Sequence, residues 1–282
     1  NPILDKLMFG FCAVISSLGI VILATIISAS LIQVWPYDFT LSLKNYNFSN
    51  VGGGGYSAYW NSIRMAFYTA VFGTIIVFIG AYLVEKGKGL SWLRSTNYFL
   101  STLPLAIPGL VLGLAYVFFF NQPTWPIPLT EYAIVNPFNF LYSTMTLLVI
   151  CNIIHFYTVC FLTANTALKQ LDSEFEAVSE SMGVPFYITF WRVTIPLCLP
   201  AILEIGIYYF VNAMVTVSAL IFLYPPKLPL AAVAIVNMDD AGDWASAAAM
   251  SALIVATSII VRILYWLFTQ RLRQRTQAWL QR

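Results

Sequence analysis

Six stretches of this chain are apolar over about 20 residues or more, and this feature limits its possible folds more than any other. The hydrocarbon core of a bilayer is about 30 Å thick and a helix rises about 1.5 Å per residue, so about 20 apolar residues cross it. The runs are continuous, unlike the alternating segments of a β-barrel. We therefore expect an all-α membrane protein, a single transmembrane domain over residues 1–282 with six helices near 7–34, 61–84, 98–120, 141–168, 197–224 and 245–269.

The composition agrees with lipid as the solvent for most of the chain. Hydrophobic residues make up 60% of the sequence and charged residues 9%, whereas soluble domains are roughly 45–50% apolar and about 25% charged. A chain with so few charges cannot cover a water-exposed surface, which excludes a soluble enzyme, a disordered protein and a nucleic-acid binder. We expect no disulfide framework, because all four cysteines lie in or beside apolar segments: Cys12, Cys151, Cys160 and Cys198.

The basic residues are distributed unequally between the two sides of the predicted membrane. Leaving aside two arginines inside apolar segments, ten Lys and Arg residues fall at the termini and in the loops at 85–97 and 169–196. The opposite loops carry two, Lys44 and Lys227. Cytoplasmic loops of membrane proteins carry the excess of Lys and Arg. We therefore expect both termini and these two loops to be cytoplasmic.

The loop between the fourth and fifth spans, residues 169–196, differs from the other loops. Four of the chain's twelve acidic residues lie in it: Asp172, Glu174, Glu176 and Glu180. Its first half has apolar residues at helical spacing, namely Phe175, Val178 and Met182. Gly183 then predicts a helix end, and Pro185 predicts the first turn of a second helix, which carries Phe186, Phe190 and Val193. Such a hairpin is a solvated surface element, an interfacial anchor or a docking element, and its two apolar stripes favour docking.

The same loop carries a resemblance to a known family. The stretch EAVSESMG, which ends at Gly183, and the stretch RVTIP, which ends at Pro196, resemble the EAA loop of binding-protein-dependent ABC importer permeases. Aligned on Gly183, the family's usual glutamate falls on Ala177, with Glu176 one position earlier. The resemblance covers about residues 60–282. NSIR, LPLAIPG, YYFVNAMVTVSALIFLY and NMDDAG are similar to stretches of the permeases assigned to 2-aminoethylphosphonate and ferric iron.

This resemblance implies the type I ABC importer fold, in a bacterial inner membrane, with a cytoplasmic coupling helix that inserts into an ATPase. The residues that the resemblance assigns to coupling are Glu176, Ala177, Glu180, Gly183, Phe186, Tyr187, Phe190 and Pro196. Within that element Phe186, Tyr187 and Phe190 are expected to be the apolar anchors and Gly183 to set the bend.

The chain lacks a GxxxxGK(S/T) phosphate-binding motif, so we expect it to be a transport subunit rather than an enzyme. The resemblance implies two cytoplasmic ABC ATPase subunits that bind ATP and magnesium, a periplasmic binding protein, and a second permease half that is identical, separate or fused to this one. Membrane lipid is the other expected partner. We expect no cofactor on this chain and no nucleic acid.

Polar residues inside the apolar segments are candidates for the solute pathway, because such residues are costly in lipid and usually face the bundle interior. The candidates are Asn152, His155, Glu204, Tyr208, Asn212, Thr216 and Ser218. Four of them recur every fourth residue of the fifth span, from Glu204 to Thr216. Hydrogen bonding between helices is the competing interpretation. We expect no metal site, because His155 and Cys151 offer only two ligands on one helix face.

Three other classes stay open from the residues alone. An ion-coupled secondary transporter would need an ion site and would not need the docking loop. A membrane enzyme would need a catalytic constellation at one depth, and a membrane anchor would transport nothing. Within the importer class, 2-aminoethylphosphonate is the expected solute and ferric iron the alternative. Pro104 and Pro108 either break the third span near the solute path or produce a tolerated kink.

Overall fold

The computed structural model describes residues 2–34, 37–48, 54–87, 89, 91–126, 133–172 and 174–277, and the side chains of these residues other than Pro2 and 271–277. The residues group into two compact units. One comprises Asn1–Trp60 with Pro229–Thr257, and the other Asn61–Leu228 with Ser258–Arg282. The single transmembrane domain over 1–282 stays a prediction.

The first unit is built on a long N-terminal helix, α1 (Pro2–Leu31). Asn45 holds the end of this helix, because its side-chain nitrogen donates to the carbonyl oxygens of Ser30 at 3.1 Å and of Ile32 at 2.7 Å. The other elements of the unit are β1 (Ile32–Val34), which pairs antiparallel with β2 (Asp38–Leu41), and α10 (Ala231–Asp240). The first residues of α2 (Gly55–Lys86) and the first part of α11 (Trp244–Gln277) complete it.

The second unit contains most of α2 and the helices that follow it. These are α3 (Ser91–Thr102), α4 (Gly109–Phe120), α5 (Met145–His155), α6 (Tyr157–Lys169), α7 (Glu174–Ser181), α8 (Phe186–Thr189) and α9 (Ile195–Val215). A short antiparallel hairpin of β3 (Thr124–Pro126) and β4 (Ala133–Val135) follows α4. Glycine lets α2 and α9 approach closely, since a Cβ at Gly73 would lie 2.9 Å from the fully buried Tyr209 ring.

The helices agree with the expected all-α membrane class. Among the described residues, four helical segments are long and apolar enough to cross a bilayer: α1, α2, the continuous helix 186–215, and α11. Two bent pairs pass the same test together, α3 with α4 at 109° and α5 with α6 at 57°. Counting each bent pair as one span gives six, the number expected from the sequence.

The third span, predicted as one helix near 98–120, is interrupted. A 3-10 turn (Leu103–Ala106) follows α3, Ile107 is extended, and α4 begins only after Pro108. Proline lacks an N–H and disfavours a helical conformation at the residue before it, which explains the extended Ile107. The two prolines therefore produce a break rather than a kink.

The fifth span, predicted near 197–224, also differs from its predicted extent. Its helix begins earlier, and α9 ends at Val215 because Thr216 is extended. Residues 217–224 form turns instead, with the Ile221 N–H donating to the Val217 carbonyl oxygen at 2.9 Å. The β-branched run Val215-Thr216-Val217 weakens helix propensity at this point, so apolar content alone overestimated the helix.

Candidate functional site

The α7–α8 hairpin, defined here as residues 174–189 and called the hairpin below, is closed by local backbone hydrogen bonds. The Glu174 N–H donates to the Asp172 carboxylate at 3.0 Å and so caps the start of α7. At the other end Gly183 has φ +67°. Its N–H donates to the Glu180 carbonyl oxygen at 3.0 Å, and the Val184 N–H donates to that of Ser179 at 2.9 Å. These paired bonds form a Schellman motif, which favours glycine at the left-handed position.

The hairpin exposes large apolar side chains. Phe186 is 73% exposed and Met182 74%. Phe175, Val178 and Tyr187 are exposed as well, as is Trp191 just beyond the hairpin. Exposed large apolar side chains grouped on one short segment are typical of a protein interaction site. Ala177 and Glu180 also lie on exposed positions of α7.

Phe190 differs from its predicted role as an outward anchor. Its ring packs against α2, with its centroid 4.6 Å from that of Tyr82 and 6.1 Å from that of Phe78. Phe190 therefore holds the hairpin to α2, and Phe186 and Tyr187 are the two predicted anchors that remain exposed. Four residues of helix rotate Phe190 about 40° past Phe186, which turns its ring toward α2.

That π-helical turn spans Phe190–Thr194 and connects α8 to α9. Pro196 lies in the first turn of α9 and Pro200 inside it. A proline ring clashes with the carbonyl four residues earlier and supplies no N–H. A widened turn next to two prolines accommodates this loss, and such turns occur frequently at functional sites.

A cation at the end of α2 contacts the hairpin. The Lys86 ammonium lies 3.3 Å from a carboxylate oxygen of Glu176. A cavity of about 380 Å³ lies beside this pair; it is lined by Tyr82, Leu83, Lys86, Gly87, Glu176, Ser179, Glu180, Val184, Phe186 and Thr189. Sequence reasoning missed Lys86, and no spacing rule pairs a residue at 86 with one at 176.

A second candidate region lies where three of the spans are interrupted. Gly109 begins α4 after the first break, His155 ends α5 at the second, and Ser218 follows the end of α9. These three residues meet, since a Cβ at Gly109 would clash with the Ser218 hydroxyl and lie 3.1 Å from the His155 ring. Non-helical backbone inside an apolar region is tolerated where it is buried in protein or lines a water-filled cavity.

The polar residues predicted to form one stripe on α9, from Glu204 to Thr216, are only partly connected by hydrogen bonds. The Asn212 side-chain nitrogen donates to the Tyr208 carbonyl oxygen at 2.8 Å, and the Thr216 hydroxyl donates to that of Asn212 at 2.6 Å. Tyr208 also meets Phe156 at the second break, with ring centroids 6.1 Å apart. Glu204 is exposed and stands apart from this chain of hydrogen bonds.

Two polar side chains beside the breaks have unused hydrogen-bonding capacity. Within the described part of the chain, neither side-chain atom of Asn152 has a partner, although the residue is 0% exposed, and the same holds for Nδ1 of His155. Most buried polar atoms in proteins are hydrogen-bonded, so these groups are candidates for contacting a passing solute. No group of three or more His, Cys, Asp or Glu residues placed to hold a metal ion occurs among the residues that the structure describes.

Sequence comparison connects this geometry with known proteins. The family profile "Binding-protein-dependent transport system inner membrane component" matches residues 87–274, which include the hairpin and all three breaks. The ferric transport system permease protein FbpB of Actinobacillus pleuropneumoniae is 29% identical over 252 residues, covering 86% of this chain. The chain spans 34% of the length of that relative.

Two further comparisons extend over nearly the whole chain. PhnV of Salmonella typhimurium, provisionally named a 2-aminoethylphosphonate transport system permease protein, is 26% identical over 259 residues. The match covers 90% of each of the two chains. A chain from the crystal structure of a bacterial ABC transporter involved in the import of the acidic polysaccharide alginate superposes with a TM-score of 0.72 at 12% identity. That match covers 96% of this chain and 99% of the other, and it shows a shared fold.

Proposed function

Because the chain belongs to the family of binding-protein-dependent transport system inner membrane components, we propose that it forms the translocation path of an ATP-driven ABC importer for a small solute. The observation that carries this proposal is the hairpin at 174–189, which exposes apolar side chains on a loop closed by Gly183. An ion-coupled transporter has no use for such a docking surface.

In the proposed importer the hairpin is the coupling helix and binds an ATPase subunit. Phe186 and Tyr187 are its apolar anchors, and Glu180 and Ala177 lie beside them on the exposed side. Burial of a phenylalanine side chain contributes about 1.5–3 kcal/mol, so these residues supply much of the affinity. Movement of the ATPases then rocks the permease helices as bodies.

The proposed assembly contains two ABC ATPase subunits, which bind ATP and magnesium, a second permease half and a periplasmic binding protein. This chain contributes no cofactor. The inner-membrane family assignment and the excess of Lys and Arg on the hairpin side support an orientation with both termini in the cytoplasm.

The proposed solute path runs past the three interrupted helices. Ser218, His155 and the start of α4 at Gly109 converge there, and the stripe of Tyr208, Asn212 and Thr216 continues from the second break along α9. The N-terminus of a helix favours anionic groups through its free N–H groups and dipole. This arrangement supports a path for an anionic or zwitterionic solute.

We propose 2-aminoethylphosphonate or a related phosphonate as the solute, supported by a relative of that name matched over 90% of both chains. Ferric iron is the second candidate, supported by the 29% identity to FbpB. A permease transports what its binding protein delivers, so the deciding measurement is the affinity of the cognate binding protein for each. Tight Fe(III) binding without 2-aminoethylphosphonate binding would overturn the phosphonate assignment.

The coupling role is tested with Phe186→Asp in the assembled complex. A charge at a residue that must enter an apolar cleft is expected to abolish ATP-dependent uptake and weaken the association with the ATPase. Because Phe186 is already exposed in this chain, the variant is expected to fold and insert normally. Uptake at the wild-type rate would contradict the proposed function.

A further inference from the structure

We propose that the ion pair between Lys86 and Glu176 is the strut that ties the coupling helix to α2, and that Lys86 is a positioning residue for energy coupling. This inference rests on the proposed function, since it assigns a mechanical role within the same importer. It concerns the inner side of the hairpin, which faces the membrane helices, rather than the apolar surface proposed to meet an ATPase.

The geometry of the pair distinguishes it from an ordinary surface contact. The ammonium and carboxylate are 3.3 Å apart, and the two side chains are only 10% and 28% exposed. Exposed pairs contribute about 0–1 kcal/mol because solvent screens them. Removing one partner of a buried pair has a much larger effect, since it leaves an uncompensated charge.

A cavity lies beside the pair. It has a volume of about 380 Å³ and is lined by residues of both α7 and α2, so these two helices are not closely packed where it lies. Lys86 and Glu176 both line the cavity and bridge it. The pair therefore gives α7 a direct ionic link to α2, in addition to the packing of Phe190 against Tyr82 that follows α8.

The end of α2 is itself firmly held, which makes it a suitable anchor. The Arg94 guanidinium donates from Nε to the Val84 carbonyl oxygen at 2.6 Å and from a terminal nitrogen to that of Glu85 at 3.1 Å. These bonds satisfy carbonyls that a helix end leaves without partners. On its other side the hairpin joins α9 through the π-helical turn Phe190–Thr194, a type of turn often found at functional sites. The strut thus connects α7 to the end of α2, which Arg94 holds in place, while the π-helical turn allows α8 to change its orientation relative to α9.

A neighbouring ion pair offers a matched control. Lys169 and Glu85 are 4.0 Å apart, and the Lys169 side chain is 57% exposed. This pair uses the same residue types and also involves the inner end of α2, but it lies outside the hairpin. Its loss is expected to be nearly neutral.

The experiment measures solute imported per ATP hydrolysed, with 2-aminoethylphosphonate and Fe(III) each tried as the solute, in proteoliposomes that contain the whole complex. Lys86→Gln and Glu176→Gln are expected to lower this ratio about tenfold, corresponding to about 1.4 kcal/mol of lost coupling, while ATP hydrolysis continues. A variant that merely lowers the amount of folded complex reduces both rates together and leaves the ratio unchanged.

Charge reversal and charge retention complete the test. Lys86→Glu and Glu176→Lys are each expected to lower the amount of solute imported per ATP. The double variant, which restores the pair with its charges exchanged, is expected to recover most of the wild-type value. Lys86→Arg and the control Lys169→Gln are expected to keep the wild-type ratio. A normal ratio for Lys86→Gln, or a double reversal no better than either single one, would overturn the strut.

Failure of the strut can be distinguished from failure of the proposed function. If Phe186→Asp abolishes uptake while Lys86→Gln behaves as wild type, the hairpin docks an ATPase but the ion pair has no coupling role. If Phe186→Asp leaves uptake unchanged, the docking function itself is wrong, and the strut proposal falls with it.

Discussion

The hairpin and the region of interrupted helices around Gly109 are both places where helices end, but they differ in which side chains they expose. The hairpin exposes apolar groups such as Phe186 to solvent. The interrupted region encloses polar groups, including Asn152, inside apolar segments. Both arrangements cost free energy in an isolated chain, since exposed apolar area and buried unpaired polar groups are each unfavourable.

This contrast separates two kinds of functional element. Exposed apolar groups are compensated when a protein partner covers them, whereas buried polar groups are compensated by a polar solute that passes them. Glycine serves both regions for different reasons. Gly183 is needed for its positive φ, while Gly109 is needed because a side chain there would collide with Ser218. Substitutions at glycines therefore test the two regions separately.

The largest effect is expected from Gly183→Pro. Proline requires φ near −65°, whereas Gly183 has φ +67°, so the hairpin cannot close and the proposed coupling surface is lost. ATP-dependent uptake is expected to fall to background, while membrane insertion and the stability of the remaining helices are retained. Uptake assays and thermal unfolding in detergent measure the two quantities.

Two milder substitutions at Gly183 test whether the loss of uptake follows from the left-handed backbone conformation. Asparagine tolerates the left-handed conformation, so Gly183→Asn is expected to retain most uptake. Gly183→Ala should lie between, because a left-handed alanine costs roughly 1–2 kcal/mol. Equal uptake for proline and asparagine would mean that the bend itself is unimportant.

The second largest effect is expected on stability, from Gly113→Ala. A Cβ at Gly113 would lie 2.5 Å from the Ala219 carbonyl oxygen, which is backbone and moves only with its segment. Overpacking of this kind typically costs about 1–3 kcal/mol, so the melting temperature should fall. Gly19→Ala is the matched control, because nothing lies within 4 Å of its added Cβ. An equal melting temperature for the two variants would contradict the packing between α4 and the segment after α9.

A smaller and more selective effect is expected from Gly109→Ala, one turn before Gly113. Here the nearest atom is the Ser218 hydroxyl, which can rotate away, and the next nearest is the Ser218 Cβ at 3.0 Å. Because these are side-chain atoms, stability should fall by less than for Gly113→Ala, where backbone must move. Uptake is expected to decrease several-fold because the rotated hydroxyl and the new methyl group narrow the proposed path. The double variant Gly109→Ala/Ser218→Ala should recover part of the uptake. No recovery would indicate that Ser218 does not line the path.

The sequence predicted the class and the hairpin well because both depend on local information. Apolar runs report lipid burial directly, and Gly183 with its flanking stripes defines a helix end by spacing alone. The breaks were harder, since an apolar stretch such as 197–224 does not reveal that its helix stops at Val215. Pro104 and Pro108 did signal the first break, but proline also occurs in continuous membrane helices.

Long-range pairings could not be predicted from one sequence. Lys86 and Glu176 are 90 positions apart, and the meeting of Gly109, His155 and Ser218 joins three separate spans. Phe190 shows the same limit over a short distance, because its 3–4 spacing with Phe186 did not reveal that its ring packs against Tyr82 of α2. Local patterns identified the residue types, and tertiary packing determined which of them meet.

The smallest effect on stability is expected from Asn152→Leu. This variant also distinguishes the two explanations for buried polar groups, which are contact with the solute and hydrogen bonding between helices. Neither amide atom of Asn152 has a hydrogen-bond partner among the described residues, so a leucine of similar volume removes a desolvation penalty and breaks no bond. Replacing an unsatisfied polar group by an apolar one of the same shape is nearly neutral or stabilising. The melting temperature should therefore stay level or rise.

If Asn152 contacts the solute, uptake by Asn152→Leu should nevertheless fall, whereas a purely structural asparagine would leave uptake unchanged. A lower melting temperature would instead mean that the amide is hydrogen-bonded in the membrane, and the interrupted region would then lose its main contrast with the hairpin.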